Sequence, residues 1–340
     1  MDTIFGLSLN TIMQVLIVLL AICLLIVAWV AWRRPVVFKL GMRNIPRRRT
    51  QTILIVIGLM LSTLIIAAAL GTGDTINNSV TSSALKGLGT VDELVVASQD
   101  PGNEGDVNSA LNETFSADAL QMFDTGLGND PDVDGIMPLL LETLPVLSES
   151  SGQSEPRSYL VGVDPTRLDQ FGDLLTVDGE PIDLGAIAPN EAVVSEMMAE
   201  DLAVGVGDVV TTFYQGQPLP LTVAAVAEDS PLSGRLDTST PGWVVPLDRL
   251  QAATSQEGQL TMIAISNRGG VEAGLDLSDT VTKRARELVA GQPLGIDPYK
   301  QRLVDLAETF SSIFTSLFLV LGLFSIAVGI LLIVLIFTML

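Results

Sequence analysis

The stretch FKLGMRNIPRRRTQTILIVIG, residues 38–58, carries Lys39, Arg43, Arg47, Arg48 and Arg49, and Arg33 and Arg34 stand just before it. These seven cations fall within seventeen positions of a chain whose formal net charge is −21. Apolar runs flank them at Ile12–Trp32 and Ile53–Leu70, and a third occupies Ile313–Leu340; none contains an acidic or basic residue. Each is about as long as the ~20 residues a helix needs to cross ~30 Å of hydrocarbon at 1.5 Å per residue. Three membrane-spanning helices are therefore expected. A cleaved signal peptide fits the first run poorly, because its basic cluster follows the apolar run and no small-residue cleavage site ends it. A buried soluble helix fits it no better, since Gln14 is the run's only strongly polar side chain.

Short loops rich in Lys and Arg stay in the cytoplasm. This rule places residues 34–52 inside and the N-terminus outside, at a cell membrane crossed several times. Residues 74–308 then lie outside, and they carry 38 acidic residues against 11 basic ones. The expected organisation is an N-terminal membrane helix (1–33), a cytoplasmic basic amphipathic segment (34–52) and a second membrane helix (53–73). A stalk helix (74–90) leads to an extracytoplasmic α+β domain (91–297), and a second stalk helix (298–312) returns to the last membrane helix (313–340).

Within the outer segment, strand-type patterns appear at VDELVVAS (91–98), GIMPLLLETLPVLS (135–148), SYLVGV (158–163), DVVTTFY (208–214), LPLTVAAVAE (219–228), GWVVPL (242–247) and LTMIAIS (260–266). Helical patterns lie between them at Ser116–Gly126, Ser195–Leu202, Leu247–Thr254 and Asp276–Ala290. QGQ (215–217) reads as a hairpin-like turn. Strands and helices interleave, which predicts an α+β fold with a mostly antiparallel or mixed sheet.

The sequence offers little chemistry. There is no histidine, so His-based triads and His-metal sites are excluded. Cys23 is the single cysteine and lies within an apolar run, which makes it a packing residue and rules out an internal disulfide. No phosphate loop and no G-x-G-x-x-G turn occurs, and the acidic loops 98–113 and 148–157 lack the ligand spacing of a Ca²⁺ loop. Ser195 and Glu196 have no basic partner nearby in sequence. No catalytic residue, cofactor site or metal site is assigned, and no nucleic-acid binding is expected. The apolar runs hold no ionisable group, which argues against a charged path through them. Small residues at Gly58 and Ser62, and at Gly322, Ser325 and Gly329, suit close helix packing.

Two features keep alternative readings open. The basic segment is either a topology signal against anionic headgroups or an amphipathic stretch that docks a cytoplasmic protein. Ile76, Val80, Ala84 and Leu88, and Tyr299, Leu303, Leu306, Phe310 and Ile313, form stripes of coiled-coil spacing. They either pair as a stalk or pack separately on the domain.

The order of elements resembles the FtsX/MacB-like permease family of ABC transporters. FKLGMRNIPRRRTQTILIVIGLMLSTLIIAAALGTGD (38–74) is similar to the family's opening segment, including its Arg43–Asn44 pair. GVDPTRL (162–168), AVVSEMMAEDLAVGVGDVVTT (192–212) and LPLTVAAVAED (219–229) resemble its extracytoplasmic core, and LFLVLGLFSIAVGILLIVLIFTML (317–340) its next membrane helix. The resemblance covers about residues 36–340. It implies a MacB-like core domain on a helical stalk, and a partner ATPase subunit that binds and hydrolyses ATP while this chain is no enzyme. It further implies a homo- or heterodimer of permeases in lipid, and transmission of ATP-driven motion to the outer domain for export or extraction. Lys39, Arg43, Asn44, Arg47, Arg48 and Arg49 would then approach the ATPase, and Ile76, Val80, Leu88, Leu303, Leu306 and Phe310 would line the stalk. The family's unit has four membrane helices, so the extra helix at 12–32 and the end of the chain at Leu340 imply a longer permease. A membrane-anchored ligand-binding or sensory protein is the alternative.

Overall fold

A computed structural model describes residues 88–98, 105–237 and 239–338, with scattered positions up to residue 85. The chain divides into two compact units, Val80–Ala307 and Met1–Ser79 with Glu308–Leu340. In the second of these, Thr3–Ile4 pairs with Leu7–Ser8 as a short hairpin, and the Arg33 guanidinium lies 5.4 Å from the centre of the Trp29 ring. Among the described residues no helix qualifies as long and apolar enough to cross a membrane. The runs at 12–32 and 53–70 lie mostly outside the described residues, as do many side chains beyond Glu308.

Among the described residues of the unit Val80–Ala307, a nine-stranded sheet is formed by β1 (Glu93–Ala97), β2 (Val133–Ser148), β3 (Ser154–Val163), β4 (Glu191–Ser195), β5 (Val209–Tyr214), β6 (Gln217–Ala227), β7 (Gly242–Pro246), β8 (Met262–Asn267) and β9 (Leu294–Asp297), and Phe115–Ser116 pairs separately with Gln259–Leu260. Its longer helices are α1 (Asp118–Gly126), α2 (Glu196–Leu202), α3 (Leu247–Thr254), α4 (Ser278–Leu288) and α5 (Tyr299–Thr338), the last continuing past the unit's end. The strand order is β9-β1-β8-β2-β3-β7-β4-β6-β5, and β5 pairs again with β2. The last six strands therefore close into a ring, with an open four-stranded antiparallel sheet continuing from β2 through β8 and β1 to β9. Pairing is antiparallel except between β3 and β7 and between β4 and β6. The mixed sheet of an α+β fold is thus present.

The sixteen-residue β2 belongs to both parts, and its sequence explains how. Its first half pairs with β8, its middle with β3, and Val146–Ser148 with β5. Proline cannot donate to a ladder and sits at irregularities. Pro145 falls where the β2–β3 register shifts, and its carbonyl accepts a hydrogen bond from the Thr212 hydroxyl at 2.8 Å. The near-continuous apolar run of β2 reflects burial on both faces.

Three apolar clusters follow. Inside the ring, Leu140, Leu160, Val194, Val210, Leu221, Val223 and Trp243 meet Met198 and Leu202 from α2. Ser195 caps that helix by accepting the Met198 N–H at 3.2 Å and also accepts the Gly242 N–H at 3.2 Å, so this buried serine serves structure. On one face of the open sheet, Phe123 and Leu127 of α1's end, with Val281 and Ala285 of α4, cover Val95, Ile136, Ile263 and Ile296. On the other, Leu94, Val96, Met137 and Met262 share a core with Phe171, Leu174, Leu88 and Tyr299. Each fully buried large side chain contributes roughly 1.5–3 kcal/mol.

The expected helices and strands appear with boundaries shifted by a few residues, and Leu247–Thr254 appears as stated. The turn between β5 and β6 has positive φ at both Gln215 (47°) and Gly216 (81°), the geometry of a tight hairpin. Strands β4 and β9 have no counterpart in the sequence reading.

Candidate functional site

Two connections enter the unit, and they meet at a buried polar cluster. Asp92 and Glu93 stand where the incoming chain joins β1, and Lys300 is the second residue of α5. The Lys300 ammonium lies 2.6 Å from Asp92 Oδ1, and neither side chain reaches solvent. Lys300 N–H donates to the Asp92 carbonyl at 3.0 Å, so backbone and side chain grip the same residue. Asp92 Oδ2 accepts the Asn267 N–H at 2.7 Å, and Lys300 Nζ also reaches the Val271 carbonyl at 3.3 Å. The site thus ties the start of β1, the end of β8 and the start of α5 together.

Glu93 extends the cluster inward. Its Oε1 accepts from Asn267 Nδ2 at 2.9 Å and from the Ser278 hydroxyl at 2.7 Å. Burial pushes its carboxyl up to about 8, only partly opposed by those two donors, so it holds a proton at neutral pH. Burial also raises the Asp92 carboxyl, while Lys300 opposes the rise. With Asp92 paired to Lys300 and Glu93 neutral, the cluster carries no net charge.

The first turns of α5 add further anchors. The Tyr299 hydroxyl donates to the Leu236 carbonyl at 2.6 Å, and burial raises its pKa. Arg302 makes a two-pronged contact with the buried Asp297, at 3.0 and 2.8 Å, and lies over the Tyr299 ring at 5.9 Å. Asp297 Oδ2 also accepts the Val107 N–H, and Gly105 N–H donates to the Ile296 carbonyl, which covers the β9 edge. A Cβ on Gly105 would lie 3.0 Å from the Gly295 carbonyl carbon, so close backbone approach requires glycine there.

Of the stalk residues named from sequence, Leu88 is buried in the core, Leu303 packs against that core half-buried, and Leu306 is 50% exposed. Phe310 lies in α5 with its side chain outside the described residues, as Ile76 and Val80 are entirely. Lys39 is helical and exposed; Arg43, Asn44, Arg47, Arg48 and Arg49 lie outside the described residues. Asp92, Glu93 and Lys300 escaped sequence reading. The available signal was adjacent acids opening an otherwise apolar strand, and one of only four lysines at the opposite border of the same segment.

Elsewhere a polar cleft of about 390 Å³ is lined by Asp124, Asn129, Asp134, Arg167 and Gln170. Arg167 closes a bidentate pair with Asp124, both contacts at 2.8 Å, so its charge is already satisfied. Among the described residues no group of three or more acidic or cysteine side chains is arranged to hold a metal.

The sequence of this unit has a counterpart among protein families. Residues 52–275 match the model of the MacB-like periplasmic core domain. The chain belongs to that family. Its place is accordingly among the MacB/FtsX-like ABC transporter permeases, and its core domain is extracytoplasmic in type. The family implies an ABC ATPase partner. Two solved structures are similar: the periplasmic region of MacB from Actinobacillus actinomycetemcomitans, and the extracellular domain of the noncanonic ABC-type transporter YknZ from Gram-positive bacteria. The first has 13% identity and a TM-score of 0.42, covering 66% of this chain and 95% of its own. The second has 14% and 0.38, covering 60% and 97%. Among curated proteins none matches the chain in sequence. The assignment rests on the family match, which spans most of the MacB-like core.

Proposed function

We propose that this MacB-like chain is the membrane-spanning permease subunit of an ABC-type transporter and acts as a mechanical transmitter. A partner ATPase binds and hydrolyses ATP, and the permease, as a homo- or heterodimer in lipid, passes that motion to its outer domain for export or extraction of a substrate. In this reading residues 12–32, 53–70 and 313–340 span the membrane, the N-terminus is outside, and 34–52 are cytoplasmic. Lys39, Arg43, Asn44 and Arg47–Arg49 approach the ATPase, while 74–90 and 298–312 form the stalk.

The observation that carries the mechanical part is the Asp92–Lys300 pair. It joins the two connections of the domain through one fully buried contact and ties the start of α5 to the start of β1, which supports a mechanical link between α5 and the sheet. The absence of a phosphate loop from the sequence is in keeping with a separate ATPase. The test is reconstitution of the full-length protein in lipid with ABC ATPases from its source. Expected is a stable complex whose ATP hydrolysis changes on assembly. A full-length protein that neither binds an ATPase nor alters its turnover overturns the proposal.

A further inference from the structure

The two connections into the core unit are built differently. On the incoming side Leu85 and Leu88 are helical, and the helix stops at Gly89, whose φ is +56°. Gly89 N–H donates to the Leu85 carbonyl at 3.2 Å and Val91 N–H to the Leu88 carbonyl at 3.4 Å, the pattern of a glycine-terminated helix. A Cβ at Gly89 would meet nothing within 4 Å, so only the left-handed backbone calls for glycine. Gly87 stands on the other side of Leu88, leaving that one apolar anchor between two glycines. A cleft of about 240 Å³, lined by Leu88, Thr90, Phe171, Pro231 and Val271, adjoins this link and leaves it room.

The outgoing side has no such break. From Tyr299 onward α5 is one helix, and Tyr299, Lys300 and Val304 are buried in its first two turns. Four separate contacts fix those turns: Lys300 Nζ to the Asp92 carboxylate, Lys300 N–H to the Asp92 carbonyl, the Tyr299 hydroxyl to Leu236, and Arg302 to Asp297. A helix clamped over two turns carries tilt and rotation into the body that holds it, whereas a short glycine-flanked link absorbs the φ/ψ change of a hinge.

We infer that α5 is the drive element of the outer domain and that the link at Gly89 is a pivot, so that motion enters the domain through the second connection and is only accommodated by the first. This rests on the transmitter reading above, and it adds a direction that reading lacks. It requires that flexibility introduced into the pivot be tolerated and flexibility introduced into α5 be ruinous.

The test uses the full-length permease with its ATPase in lipid, in a Cys23→Ser background with spin labels at Gln215→Cys and Val36→Cys. One variant inserts two glycines after Gly89; the other carries Leu306→Gly with Ala307→Gly, positions beyond the buried turns of α5. Expected is an ATP-dependent change in label distance in the parent and in the insertion variant, and its loss in the α5 variant. Loss in the insertion variant with retention in the α5 variant, or equal loss in both, overturns the inference. A parent complex without any ATP-dependent change overturns the transmitter reading instead. Amide exchange on the unmodified chain then decides the asymmetry independently. Slow exchange over 302–304 with fast exchange over 88–91 supports it; equal or reversed protection refutes it.

Discussion

A pH-dependent loss of stability is expected when Lys300 is removed from the buried Asp92–Lys300 pair. In Lys300→Met the Asp92 carboxylate loses its counter-ion in a site without solvent. The least costly response is to take up a proton. From the ordinary value of 3.8, holding that proton at pH 7 costs about 4 kcal/mol, at 1.36 kcal/mol per pH unit. This agrees with the ~3–5 kcal/mol typical of breaking a buried pair. In Asp92→Asn the ammonium is left buried without its counter-ion, which also costs ~3–5 kcal/mol. In Lys300→Met the folded state binds the extra proton, so the deficit relative to wild type shrinks as pH falls toward 4. The paired change Asp92→Leu with Lys300→Met leaves no buried charge and should cost far less than either single change. The assay is thermal unfolding of segment 80–307, where ~1 kcal/mol moves the midpoint by about 2–4 °C, so each single change should lower it by roughly 10 °C at pH 7. A Lys300→Met deficit that does not shrink as pH falls, or a double variant as unstable as the singles, would refute the reasoning.

Three further outcomes are expected. Glu93, raised to about 8 in the folded state from 4.5, makes the wild type lose stability as pH climbs from 4.5 to 8, with no further loss above; Glu93→Gln keeps the Oε1 acceptor and should flatten that decline in unfolding curves taken across the range. Gly242→Ala would place its Cβ 2.2 Å from the Gly234 carbonyl carbon, backbone that cannot swing away, and should cost ~3 kcal/mol or more by denaturant titration. Replacing Arg47, Arg48 and Arg49 with Glu should expose the basic segment to a membrane-impermeant reagent in intact cells through a cysteine placed at Thr50, because that cluster sets orientation; unchanged protection would count against the assigned topology.

Local pattern carried the sequence reading a long way through the core unit. GWVVPL and LTMIAIS announce strands by β-branched content, and Leu247–Thr254 declares its helix by apolar spacing. β4 was hidden because its EAVVS runs straight into α2, and β9 because LGID is only four residues long and acquires its structure from β1. Closure of the ring was beyond reach for a different reason: it depends on β2 pairing with three partners along sixteen residues, and pairing choice is not written in the alternation of one strand. The two stripes, one ending at Leu88 and the other beginning with Tyr299 and Leu303, are visible, but spacing alone does not distinguish a partner helix from the domain's own core. The core takes all three.

The chemistry at the root raises the question of why a charge pair occupies a place where apolar side chains would fit. An ion pair buried without solvent is no stronger than a well-packed hydrophobic replacement, because desolvation cancels most of the Coulomb attraction. What it adds is register. A leucine or methionine at position 300 would tolerate several positions of α5, since apolar contacts are non-directional. Lys300 has no such freedom: sliding α5 by one turn, about 5.4 Å, takes the ammonium beyond contact with Asp92 and leaves two buried charges unpaired. The neutral Glu93 beside the pair sharpens this, because it contributes hydrogen bonds to Asn267 and Ser278 without a second negative charge to compete for Lys300. A slip of α5 at its first turn would break the Asp92–Lys300 contact and strand both charges, so the buried pair opposes that slip.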